Sequence, residues 1–129
     1  MTAATIALGG QPAYGGDDAA AVESRGGLYT LRWSSELRPL TINRMHSWIL
    51  SIENADGDAV DDAQITVTGG MPLHDHGLPT APRVTENLGG GRYRLGGIRF
   101  HMPGVWQFVI TVSDGTVSDS VTLDFDVAP

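Results

Sequence analysis

Cysteine is absent from the 129 residues. That excludes disulfides, thiolate zinc sites and a cysteine nucleophile, so any metal site here must use histidine, methionine or carboxylate. Lysine is absent too: all eight basic residues are arginine, scattered among fifteen Asp and Glu, for a net charge of −7 and a pI of about 4.7. This balance argues against nucleic acid and anionic membranes as partners and fits a protein that attracts cations. No span approaches the roughly 18 consecutive apolar residues of a membrane helix. Catalytic signatures are missing as well: there is no G-x-S-x-G, no H-E-x-x-H and no glycine-rich phosphate loop between a strand and a helix. No carboxylate pair sits in an apolar run that would raise a pKa for acid catalysis, and no histidine follows Met1 to form a two-nitrogen brace for copper oxygen chemistry. The expectation is a protein that is not an enzyme.

What is present suffices for one domain, since a chain of this length with 41% apolar residues buries a core unaided. Residues 1–27 are rich in Ala and Gly and lack the basic start and apolar run of an export signal. They read as a flexible segment, loosely strapped to a domain over residues 28–129. Either the protein stays where it is made, or the sequence is a form whose export signal is gone.

From residue 28 the hydrophobic period is two, the mark of half-buried strands. Residues 28–33 set Tyr29, Leu31 and Trp33 on one face, and residues 45–53 do the same with His46, Trp48, Leu50 and Ile52. The alternation resumes over residues 63–68 and again from Arg92. Gly96-Gly97 then throws Ile98, Phe100 and Met102 one residue out of phase, which predicts a β-bulge. Asp114-Gly115 reads as a two-residue hairpin loop, with Val112 opposite Val117, Phe108 opposite Val121 and Trp106 opposite Leu123. About seven strands with turn signals between them, and no helical period, predict an all-β antiparallel sandwich of the immunoglobulin-like kind.

The rare residues keep company. His46 follows Met45, His74 and His76 follow Met71, and His101 precedes Met102, at three places that a sandwich can bring to one end. The stretch M-P-L-H-D-H-G-L-P-T-A-P-R, residues 71–83, carries too much proline for helix or regular strand and reads as an ordered loop. Imidazole with thioether is a soft-to-borderline donor set that points to copper, as Cu(I) or Cu(II), ahead of zinc. The candidate metal ligands are His46, His74, His76 and Met102, followed by Met71 and His101. His101 should face away from Met102 unless the Pro103-Gly104 turn redirects it. Asp56, Asp58, Asp61 and Asp62 lack the spacing and terminal Glu of a calcium loop, and read as turn residues and solvated charge.

Trp48 after His46, the Asp56-Gly57 turn, the 71–83 loop, the stretch G-R-Y-R-L-G-G-I-R-F and the run M-P-G-V-W from Met102 to Trp106 together resemble the YtkA-like domain family, related to FixH-like proteins. The resemblance spans roughly residues 28–127. It implies an exported, extracytoplasmic or periplasmic immunoglobulin-like sandwich, associated with copper handling and oxidase assembly, and draws attention to His46, Met71, His74, His76 and Met102.

The expected function is therefore a copper-binding module for carriage or delivery to an oxidase or another recipient metalloprotein. A metal-free interaction domain that docks a protein through the proline-rich 71–83 loop is the alternative. A zinc hydrolase is a third reading, but no general base stands beside the histidines.

Overall fold

A computed structural model describes residues 21–129. Nine strands follow in order: β1 Val22–Glu23, β2 Tyr29–Ser35, β3 His46–Asn54, β4 Gln64–Met71, β5 His76–Gly77, β6 Arg83–Gly89, β7 Arg92–Ile98, β8 Gly104–Ser113 and β9 Ser118–Val127. They form two antiparallel sheets, β1-β2-β3-β7-β6 and β5-β4-β8-β9, with no helix among the described residues. The expected sandwich is present. Its seven longer strands are joined by two of only two residues, β1 and β5, too short to leave a period in the sequence.

The core lies between the sheets and takes alternate residues from β2, β3, β7, β8 and β9. Trp48, Trp106, Tyr29, Tyr93, Phe100 and Phe108 are fully buried. The Trp33 and Trp48 rings stack 3.9 Å apart, and Phe125 meets the edge of Trp48. Gly69 on β4 faces this packing: a Cβ there would stand 2.6 Å from the Phe108 ring, so only glycine fits.

The Gly96-Gly97 bulge is found where the period breaks. Trp48 pairs with Leu95 and His46 with Ile98, so β7 spends one residue more than β3 between the two pairs. Gly97 takes a positive φ of 77° there.

The last hairpin differs from expectation by two residues. Val112 pairs with Asp119, Phe108 with Leu123 and Trp106 with Phe125. The turn itself explains the shift. The Asp114 carboxylate accepts the Thr116 and Val117 N–H groups at 2.9 and 3.0 Å, and Asp114 N–H donates to Val117 O, which stabilises a four-residue loop over a two-residue one. A shift of two keeps every side chain on its face, so the buried set is unchanged.

Of the N-terminal segment expected to be loose, residues 1–20 lie outside the described residues. From residue 21 the chain is part of the fold: Val22 pairs with Leu31, and Ser24 donates its hydroxyl to the Asp119 carboxylate at 2.7 Å. The same carboxylate oxygen accepts Gly26 N–H at 2.8 Å and Leu28 N–H at 3.3 Å. The Ser24 hydrogen bond, joined by these N–H donors, holds the Asp119 pKa below the usual carboxylate value.

Strand direction sorts the loops by end. β3 and β8 begin, and β4 and β7 finish, at the end that carries His46, the β4–β5 turn and the residues between β7 and β8. All four histidines therefore lie at one end.

Candidate metal centre

The four histidines do not form one group. His46 opens β3, and its two ring nitrogens are both engaged: Trp48 Nε1 lies 3.2 Å from Nε2, and Nδ1 lies 3.0 Å from Arg44 O. An indole N–H only donates. Nε2 must then accept, Nδ1 carries the proton, and Arg44 O receives it. No lone pair is left for a metal. Burial lowers the His46 pKa, which keeps the ring neutral and this pattern intact. Its ring meets Phe100 at 5.8 Å between centroids.

His74, His76 and His101 are brought together. The turn from Met71 to His76 closes with His74 N–H donating to Met71 O at 3.1 Å and with Asp75 at φ 53°, a left-handed conformation that Asp tolerates. The His74 and His76 ring centroids stand 6.3 Å apart, and those of His76 and His101 6.0 Å. His76 forms part of the wall of a cleft of about 380 Å³ over the Gly69-Gly70 backbone, so its ring has room to turn.

His101 is not turned away from the others. Trp106 Nε1 donates to Met102 O at 2.8 Å, folding the Met102-Pro103-Gly104 turn back over the indole, and the His101 ring meets Trp106 edge-on at 5.6 Å. His101 Nδ1 is buried and has no hydrogen-bond partner, alone in this among side-chain nitrogen and oxygen atoms of the described residues. A buried nitrogen without a partner is costly unless something occupies it.

The thioethers differ in the same way. Met71 is 1% exposed and pairs with His76 across β4 and β5, and paired residues of antiparallel strands share a face. Its methyl lies against Gly104, where a Cβ would come within 3.0 Å. Met102 is half-buried and packs on the core.

Among the described residues, no three His, Cys, Asp or Glu side chains stand within common reach of one ion. Two imidazoles on a tetrahedral ion, each nitrogen about 2.0 Å from it, place their centroids roughly 5 Å apart. The observed separations exceed that by about 1 Å, and the exposed side chains of His74 and His76 would have to rotate to bring their rings to that spacing.

Sequence reasoning set His101 behind the other histidines and counted His46 among the four leading ligands. The i, i+2 spacing of His46 and Trp48 on one strand face held the opposite signal, since it sets an indole donor beside an imidazole acceptor.

A family model described as YtkA-like matches residues 29–111, more than half of the chain and including all four histidines. No curated protein and no solved structure matches.

Proposed function

This chain belongs to the YtkA-like family, and we propose that it is a copper-binding module, with His74, His76 and His101 as imidazole donors and Met71, paired with His76 across β4 and β5, as the thioether. The observation that carries the reading is the unpartnered Nδ1 of His101, buried beside the His76 ring. Imidazole with thioether suits copper in either oxidation state, with zinc second. An open turn that closes its two exposed rings onto a fixed third suits carriage, in which an ion must be taken up and released, better than catalysis. We place the module outside the cytoplasm, where it would deliver copper to an oxidase or another metalloprotein.

The test is metal content after loading with Cu(II) in air and with Cu(I) under anaerobic conditions, followed by gel filtration. The parent should retain one copper per chain, and the joint change His74→Ala with His76→Ala should retain none while keeping its β-sheet circular dichroism. Copper should also raise the melting temperature of the parent, because a ligand that binds only the native state stabilises it by mass action. Leu73, 81% exposed at the tip of the same turn, favours a second reading, a metal-free docking domain. A melting curve indifferent to excess copper would select it.

A further inference from the structure

Three of the four outer sheet edges carry a device against the addition of another strand. β1 is two residues long, and the segment after it is fastened by Ser24 to Asp119. β9 is met on its outer side by Arg25 N–H, which donates to Ser120 O at 2.9 Å, and the chain just beyond it bridges Thr41. β6 carries Arg83 and Glu86 and two register shifts against β7. Short strands, straps, charges and bulges are the usual means by which native sheets blunt their edges.

β4 has none of these over residues 64–69. That run, Gln-Ile-Thr-Val-Thr-Gly, is uncharged, free of proline and unshifted against β8. β5 covers only Gly70 and Met71. Among the described residues, no backbone partner lies on the outer side of residues 64–69. The flank is unfinished in its side chains too. Ile65 and Val67 on β4 and Val84 on β6 pack against the core yet stay half-buried, while Phe108, Ile110, Val112 and Val121 on β8 and β9 are fully buried.

We infer that this edge is where a second copy of the chain pairs, β4 against β4, antiparallel about a two-fold axis at Thr66. That register sets Gln64 opposite Thr68, Ile65 opposite Val67 and Thr66 opposite its own copy, so that core-facing residues meet core-facing ones and exposed residues meet exposed ones, and the pairing ends where β5 begins. Residues of this type form favourable cross-strand pairs, and no like charges meet along the run. Continued outward, the register carries Asp61 and Asp62 of each copy toward the turn that holds His74 and His76 in the other, acid against imidazole. This complementarity under two-fold symmetry, with an isologous interface, favours a second copy over a strand from another protein. The net charge of −7 per chain is repulsive, so salt should strengthen the dimer.

Sedimentation of the full chain, without metal, from micromolar to near-millimolar concentration tests this. The expected result is a dimer that grows with concentration and with added salt, and whose amide protection at residues 64–69 falls on dilution. Thr66→Lys with Thr68→Lys, both exposed positions, should give a monomer with unchanged circular dichroism. Thr122→Lys, exposed on β9, should leave the dimer intact. A parent that stays monomeric throughout overturns the inference and leaves the edge to a strand from another protein or to none. A dimer that survives the paired lysines, or that shows no dilution-dependent protection in β4, places the interface elsewhere and overturns it equally.

Discussion

Trp48 donates its indole N–H to Nε2 of His46 across 3.2 Å, and this bond decides what His46 is for. The stacked, buried indole has that imidazole as its hydrogen-bond acceptor, and the imidazole spends its other nitrogen on Arg44 O. The residue is a hydrogen-bonding plug at the mouth of the core.

His46→Ala should therefore leave copper stoichiometry unchanged and lower stability by about 1–3 kcal/mol, the usual penalty for a polar group deprived of its partner in a buried place. Chemical denaturation beside metal analysis separates the two effects. Loss of copper without loss of stability would return His46 to the ligand set.

The same bond predicts a pH dependence. Burial lowers the His46 pKa in the folded chain, so the unfolded chain binds the proton more readily, and its value is about 6.5. The stabilisation is whole above about pH 6.5 and is lost as pH falls from there through the folded value. Melting temperatures of metal-free protein between pH 8 and 5 should decline, and His46→Phe should show a flatter decline over that window. Parallel curves would remove His46 as the cause.

Of Met71 and Met102, the proposed donor is Met71, which pairs with His76 across β4 and β5. Leucine roughly conserves volume at either position and should cost less than about 1.5 kcal/mol, so a large change in affinity can be ascribed to the sulfur. Thioether favours Cu(I). Met71→Leu should weaken Cu(I) more than Cu(II), Met102→Leu should weaken neither selectively, and His101→Ala should weaken both. Chelator competition at each oxidation state reads all three, and equal losses in Met71→Leu would leave a site of histidines alone, with zinc as plausible a cargo as copper.

The Asp119 clasp should be acid-labile. Its carboxyl pKa is held down chiefly by the Ser24 hydroxyl, so the clasp contributes fully above the unfolded carboxyl value of about 3.9 and is lost as pH falls through the lower folded value. Asp119→Asn should melt below the parent at pH 7, and the difference should shrink below about pH 4. A constant difference down to pH 2 would show that the charge is not what fastens the segment.

How far the sequence could be read depended on whether the signal was local. The bulge at Gly96-Gly97 was legible because a glycine pair and a phase change coincide. The buried faces of β2, β3 and β8 followed from the period alone. The register of the last hairpin was not legible, because Asp114-Gly115 suits two loop lengths and the choice rests on which N–H groups the carboxylate captures. β5 was hidden inside a proline-rich stretch, and two residues leave no period. For the site, the adjacency of His74 and His76 could be read from the loop. The place of His101 could not, because it depends on an indole 5 residues further on pulling the Met102 carbonyl over itself.

The edge-on contact between His101 and Trp106, 5.6 Å from ring to ring, would make the protein an optical gauge of an ion held at the proposed site. Of the three indoles, Trp33 and Trp48 are stacked on each other, while Trp106 stands against the histidine and is joined through its N–H to the Met102 turn. A paramagnetic ion seated on His101 would drain the excited state of Trp106, whereas a closed-shell ion of the same charge or lower would mostly alter its colour by its field. The emission of this single residue would thus tell an empty chain from a loaded one, and one electron count of the metal from the other, with no label attached.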